Sequence, residues 1–392
     1  MIVNVEFLGN EPIENVITAL NYKIDKTIFF GYKEVIDEMK ERTDKFLKKY
    51  CNVEQTKYVE VSHTKLKSII DVMSAEIERE YRQGNEIYFD VTGGESLILV
   101  AFGIIAEKVN APMHMYDVKS NKLMEYDDIE GRKPGKLSEH AQKQSVKFNI
   151  EQYIEMYGGI VNSNLKKEAK QSAEEGVCDM LKDMWNVMYG NKESWNAFSD
   201  ILKRMFKPDD NLETCSPVKN VRDYYEKNPY LDDSLAGFNK ILTELENCGA
   251  LTNLSISDEY YSFRYVNHDI KYYLWDCGSI FEYYTYSRFR ENADDCEVGV
   301  HIDWDGVVNE FPGKDVLNEI DVIALNGYIP TFVSCKTGKM KTEKALFALY
   351  ELETVASRFG KKYAKKVLMI TEPLTISYKM RAKEMDIEVI VV

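Results

Sequence analysis

The 392-residue chain has little of what builds zinc or disulfide frameworks. Its seven cysteines (51, 178, 215, 248, 277, 296 and 335) are odd in number and scattered, with no Cys-x-x-Cys pair. Such usage reads as reduced thiols in a cytosol. The five histidines (63, 114, 140, 268 and 301) include no His-x-x-x-His spacing, so a zinc site has little to stand on. Any metal would be a hard cation held by carboxylates. Long apolar runs are also missing. The longest, Leu97 to Ala106, is about half of what a bilayer span needs. The N-terminal MIVNVEFL has no basic region and already carries Glu6, which argues against a signal peptide. A cytoplasmic protein with no membrane partner is expected.

What is present describes a globular chain of two or three domains: 44% hydrophobic and 29% charged residues. The 50 Lys and Arg against 65 Asp and Glu give a net charge of −15, the wrong sign for a protein coated in nucleic acid. A local exception lies between Lys336 and Lys366, where nine cations face three acids. Most such runs are solvated helix faces. This one begins inside the most chemically suggestive segment of the chain.

Strand-like and helix-like periods alternate over the first 130 residues: strands at 2–8, 27–30, 53–61, 86–91 and 113–118, helices at 33–50, 63–81 and 96–109. That order predicts a Rossmann-like α/β domain over 1–135, with a mostly parallel sheet covered on both faces. The polar stretch 131–145 reads as a boundary. Residues 146–275 are expected to be a helical, winged-helix-like region, with 150–187 mostly helical, a helix at 235–247 and strands at 251–256 and 260–266. No basic recognition face marks it as a DNA reader, so packing or linkage is its expected role. Residues 276–392 read as a third unit: a helix at 279–290, strands at 298–304, 319–325 and 328–335, a helix at 339–359, then strand, helix and strand to the end.

Two segments carry candidate chemistry. Asp90-Val91-Thr92-Gly93-Gly94-Glu95-Ser96 turns from a buried strand into a helix. The glycines permit a sharp turn and close ligand approach, and free amides at the helix start suit an anion. Gly9-Asn10-Glu11-Pro12, at another strand end, would line the same crevice. A plain tight turn is the bland alternative, and the acids Asp90 and Glu95 would leave backbone amides and Thr92 to do the binding. In the second segment, Asn326-Gly327 is expected to form a two-residue hairpin turn. Leu325 then pairs with Tyr328, Glu319 with Ser334, and Asp321 with Phe332. Side-chain alternation puts Glu319, Asp321, Ser334 and Lys336 on one side of the sheet. Two carboxylates, a hydroxyl and an amine suit metal-assisted phosphodiester hydrolysis, with Glu282 on the preceding helix completing a ligand set of Glu282, Glu319 and Asp321. A buried acid–lysine bridge is the bland alternative, but it needs fewer groups.

The αβββαβ order of the last unit, with Glu282, Asn318-Glu319-Ile320-Asp321 and Ser334-Cys335-Lys336, resembles the PD-(D/E)XK restriction-endonuclease-like fold. The Asp90-Val91-Thr92-Gly93-Gly94 turn resembles the CARF sensor domains of type III CRISPR systems. Together, over nearly the full length, they resemble the CRISPR ancillary nucleases activated by cyclic oligoadenylate. The resemblance implies a homodimer holding one cyclic oligoadenylate, the tetra-adenylate first, across its sensors. It also implies a nuclease using Mn²⁺ or Mg²⁺ to cut single-stranded RNA or DNA, or to nick duplex DNA, in antiviral defence. Two departures stand out. Ser334 replaces the acid usual two residues before the lysine, leaving Glu319 as the candidate substitute, and Glu95-Ser96 follows the glycines where many relatives have Thr-Lys. The alternative is a non-catalytic CARF-type regulator with a degenerate nuclease domain that binds DNA or protein.

Overall fold

A computed structural model describes residues 1–126, 135–144, 146–162, 175–206, 211–229, 234–307, 317–340 and 342–392. The first unit runs β1 (Ile2–Phe7), α1 (Ile17–Asn21), β2 (Lys26–Gly31), α2 (Lys33–Tyr50), β3 (Gln55–Glu60), α3 (Leu66–Arg82), β4 (Glu86–Asp90), α4 (Ser96–Val109), β5 (Met113–Asp117) and β6 (Lys122–Tyr126). Its sheet has the order β3-β2-β1-β4-β5-β6, parallel except for the β5–β6 hairpin. The central strands are nearly continuous apolar runs, as a sheet covered on both faces requires; Val3, Val5, Ile28, Phe29, Phe30 and Phe89 are all buried. Helix α2 turns Val35, Met39, Phe46 and Leu47 inward at helical spacing. The Rossmann-like expectation holds, and β6 is an addition to it.

After this sheet the chain folds back on it. Of the expected boundary at 131–145, residues 131–134 and 145 lie outside the described residues. The rest, including α5 (Leu137–His140), is stitched to the sensor through a Tyr22–Lys143 bridge. Helix α6 (Ile150–Met156) starts with a capping box between Asn149 and Gln152. It lies between α2, whose Arg42 donates to the Tyr157 carbonyl at 2.8 Å, and the last unit, whose Asp295 carboxylate accepts the Ile150 amide at 2.9 Å. The two-residue strand β7 (Ile160–Val161) then joins the edge of the third sheet. The described part of 150–187 is mostly helical, as expected, with this short strand on the open edge of β11 as the exception; residues 163–174 lie outside the described residues.

The middle unit contains α7 (Glu175–Gly190), α8 (Lys192–Met205), β8 (Glu213–Pro217), α9 (Val218–Lys227), α10 (Leu235–Asn247), β9 (Leu251–Ile256), β10 (Tyr260–Tyr265) and α11 (His268–Trp275). Helix α10 and the β9–β10 hairpin fall where the sequence places them. Strand β8, unexpected, completes a three-stranded sheet in the order β8-β10-β9.

The last unit runs α12 (Ser279–Arg290), β11 (Asp295–Asp303), β12 (Leu317–Asn326), β13 (Ile329–Lys336), α13 (Thr342–Phe359), β14 (Lys365–Ile370), α14 (Ile376–Glu384) and β15 (Ile387–Val391). Its sheet order is β15-β14-β13-β12-β11-β7. Apolar residues of α13, including Leu349, Leu352, Val355 and Phe359, share one buried core with the sensor. On the other side, α12 residues Ile280 and Phe281 share a second core with the middle unit.

Candidate functional site

The hairpin register differs from expectation. Asn326 pairs with Ile329 and Val322 with Val333, so the loop residues are Gly327 and Tyr328, one position later than the sequence suggests. Gly327 takes a φ of 57°, which the first position of such a turn favours. Tyr328 is held in the turn by sensor groups: its hydroxyl accepts from Asn21 at 2.8 Å, and its ring contacts Tyr116 and Phe148. Every partner moves by two residues, so the faces are preserved. Asp321, expected opposite Phe332, now stands level with Ser334, which was expected opposite Glu319.

The observed β12–β13 pairing begins at Val322 and Val333, and the Asp321 carboxylate occupies the fork beyond it. Its Oδ2 accepts the Cys335 amide at 2.6 Å and the Ser334 hydroxyl at 3.2 Å, and meets Lys336 Nζ at 3.5 Å. On the neighbouring strand, Gly299 adopts a φ of 62° between the Val298–Val322 and Val300–Ile320 pairs. There the strands change sides: Val298 and Val322 belong to one core, Val300 and Ile320 to the other.

Burial would lower the Lys336 ammonium, but the charges of Asp321 and Glu351 outweigh it and hold its pKa above the ordinary value. Glu351, on α13, is pushed up by burial and then by Asp321 and Glu319, while Lys336 pulls it down. The sequence reading passed over Glu351; its place one helix after the lysine strand, at the flank of an apolar stripe, was the available signal. Glu319 is exposed and carries a loose contact to His301 at 3.8 Å. Glu282 enters differently: its charge helps raise the Cys335 thiol, after burial and Asp321. Cys335 in turn touches Thr285 of α12 at 3.4 Å, so α12 faces the Cys335 side of β13. The structure therefore joins Asp321, Ser334 and Lys336 directly, and adds Glu351 and Glu319 through their charge. Glu282 enters through its charge on Cys335.

Among the described residues no three His, Cys, Asp or Glu side chains form a ready metal cage. The residues still fit a hard divalent ion. Mg²⁺ keeps several waters and needs only one or two protein carboxylates. The charges of Asp321 and Glu319 help raise the Glu351 carboxyl, and a group so crowded by negative charge is a place where added positive charge is stabilising.

The sensor crevice lies where β1 and β4 run side by side and their following connections leave in opposite directions. Asp90 is buried inside it, accepting from Thr18 at 2.5 Å and the Thr92 amide at 2.8 Å, with His114 at 3.3 Å. Burial would raise its pKa, yet His114, Thr18 and Thr92 hold it below the ordinary carboxylate range. Asp90 thus ties the turn from within. The Thr92 hydroxyl accepts the Tyr116 amide at 2.7 Å, and Glu95 accepts from Tyr32 at 2.9 Å. Gly94 has a φ of 130°, and a Cβ on Gly93 would lie 2.8 Å from a Glu14 oxygen. Asn15 brackets Gly9 through both its amide and carbonyl at 2.9 Å. Asn10 accepts from Lys361 of the last unit. Pro12 opens a short buried turn capped by Glu11, whose pKa is raised by burial against the pull of Lys361 and Lys362.

Residues 273–391 match the family model of the Card1-like endonuclease domain. The last third of this chain is therefore similar to Card1-like endonuclease domains. Two solved structures share the whole architecture. Protein VC1899 from Vibrio cholerae superposes with a TM-score of 0.71 at 16% identity, over 99% of this chain and 93% of that one. Can2 from Sulfobacillus thermosulfidooxidans, solved in complex with cyclic tetra-adenylate, gives 0.62 at 14% identity over the same shares. No curated protein matches in sequence. Together, the endonuclease domain and the shared fold bear out the resemblance to the CARF-domain ancillary nucleases. No helix among the described residues is long and apolar enough to cross a membrane.

Proposed function

We propose that this chain is a cyclic-oligoadenylate-gated, metal-dependent endonuclease of type III CRISPR antiviral defence. The observation that carries the reading is the Asp321–Ser334–Lys336 fork inside a Card1-like endonuclease domain. Asp321, Glu351 and Glu319 would hold Mn²⁺ or Mg²⁺; when bound, such an ion polarises the phosphodiester and lowers the pKa of its water. Lys336, kept charged, balances phosphate charge and steadies the nucleophile. Ser334 and the Cys335 amide fix the Asp321 carboxylate in one orientation. Carboxylates on a second element would replace the acid that Ser334 displaces.

In the sensor, the Thr92–Gly94 turn, the start of α4 and the Gly9–Pro12 loop offer backbone amides and close approach to an anionic ring. The Can2 structure, which holds cyclic tetra-adenylate on the same fold, supports that ring as activator. A homodimer accords with α4, where Val100 is 50% and Ile104 44% exposed on a helix that is apolar nearly all round. An isologous pair would give a two-fold ligand two equal half-sites. The substrates are single-stranded RNA or DNA, or duplex DNA that is nicked.

The test is incubation with Mn²⁺ and labelled single-stranded RNA, single-stranded DNA and duplex, with and without cyclic tetra-adenylate. Cutting stimulated by the ring is the expected result. Cutting that ignores it removes the gate. No cutting under any condition favours the second reading, a non-catalytic sensor, for which Ser334 is the motivating residue.

A further inference from the structure

Helices α13 and α14 both begin just beyond the strand ends that carry Lys336 and Ile370, which are neighbours in the parallel β13–β14 pair. Their first turns therefore border the Asp321–Lys336 site. On them lies an exposed apolar and aromatic surface that folding does not require. Phe347 is 67% and Tyr350 46% exposed on α13; Ile376 is 79% and Met380 62% exposed on α14. Phe347 stands one helical turn before Glu351 and so shares its face. Arg381 joins the two helices by donating to the Tyr350 hydroxyl at 3.1 Å, with its guanidinium 5.5 Å from the ring centre.

We propose that Phe347 and Tyr350 form a stacking platform for the bases of a single-stranded polynucleotide whose backbone passes the Asp321–Lys336 site. This rests on the endonuclease reading above and adds the residues that would position its single-stranded substrate. Exposed rings accept any base, since every base has a π-face, and interleaved cations hold the backbone. Charge selects this occupant over a second copy of the chain. Of the twelve Lys and Arg in residues 336–384, Arg358, Lys361, Lys362 and Lys366 are held by Trp304, Asn10, Glu14 and Glu353, which leaves eight cations against Glu343, Glu351, Glu372 and Glu384 within a protein of net charge −15. An isologous contact here would set like charges face to face, whereas a polyanion is attracted. Duplex DNA keeps its bases stacked on one another and gains little from the rings.

The test uses the full-length protein with cyclic tetra-adenylate in EDTA, so that binding is read without cutting. A single-stranded oligonucleotide carrying 2-aminopurine and a blunt duplex of the same sequence are titrated against wild type, F347A, F347L and F347W. The platform predicts that F347A and F347L each weaken single-strand affinity roughly tenfold, the scale of one lost base–ring contact. F347W should restore both the affinity and the 2-aminopurine quenching, with duplex binding changed less than about twofold. The proposal is overturned if F347L binds like wild type, if F347W is no better than F347L, or if the duplex loses as much. A change of oligomeric state in F347A, read by sedimentation, overturns it in favour of a second copy. A wild-type protein that binds no polynucleotide, and cuts none with Mn²⁺, sinks the endonuclease reading itself and this inference with it.

Discussion

Lys362 Nζ lies 2.6 Å from Glu14 Oε1, and the other oxygen of that carboxylate stands where a side chain on Gly93 would have to go. Tyr363 donates to the same Oε1 at 2.5 Å. One buried acid therefore touches the Gly93 turn of the first unit and the segment that links α13 to β14 in the last. A ligand seated on the proposed Gly93 turn would meet a group already fixed to the last unit. Energetic coupling needs such an element, whose position both sites bias.

Replacing Glu14 by Gln keeps the shape and removes the charge. The expected result is near-normal binding of cyclic tetra-adenylate, with the stimulated-to-basal cutting ratio reduced about tenfold, within the usual range of coupling energies. An unchanged ratio, measured alongside ligand affinity, would show that the signal travels elsewhere.

Asp321→Asn should lower cutting by about 10²- to 10³-fold, the scale of losing a group that stabilises the transition state. Ring binding and the melting temperature should stay near wild type. Lys336→Ala should behave alike. Retained activity in either variant would refute the fork as the reaction centre.

Glu351→Gln separates a metal-holding role from a packing role. If Glu351 shares the ion with Asp321, the Mn²⁺ concentration for half-maximal cutting rises about tenfold or more, and excess Mn²⁺ recovers part of the rate. A lowered rate with unchanged metal dependence would mean that Glu351 serves only to hold Lys336.

Much of this was legible in the sequence. The strand–helix alternation of the sensor, the αβββαβ order and the common face of Asp321, Ser334 and Lys336 follow from periodicity, because a two-residue slip leaves strand faces unchanged. The register itself was not. Asn326-Gly327 is a good local turn, but Tyr328 gains a buried site among Asn21, Tyr116 and Phe148, partners that stand far back along the chain. Glu351 was hidden for a similar reason: only packing α13 against β13 brings its charge to Lys336. Asp90 looks like a ligand contact until Thr18 and His114 close over it.

Asp90 supplies a pH signature. Its folded pKa is depressed, so its stabilising contribution is present above the ordinary carboxylate value of about 3.9 and is lost as pH falls through the lower folded value. Asp90→Asn should cost about 2–4 kcal/mol at neutral pH. The gap from wild type, followed by denaturant melts, should narrow as pH drops below about 4. A gap that is constant or widens on acidification would contradict the assignment.

Val100→Asp and Ile104→Asp test the sensor face. Each places a charge on an exposed apolar helix stripe and should convert a dimer into monomers, seen by sedimentation, with little loss of monomer stability. Ring affinity should fall with it, since each protomer would keep only half a site. A dimer that survives both changes would move the interface off α4.

Tyr328 caps the hairpin at the end away from Asp321, beyond the five strand steps, about 17 Å, from Asp321 to Asn326. Its ring and hydroxyl are gripped by the sensor, while the other end of the same two strands opens around the carboxylate. The hairpin is thus anchored in the first unit at its tip and carries the Asp321 carboxylate at its other end. The two strands that carry Asp321 and Lys336 thus have their far end built into the core of the first unit, and the two ends of the chain fold as one body around it.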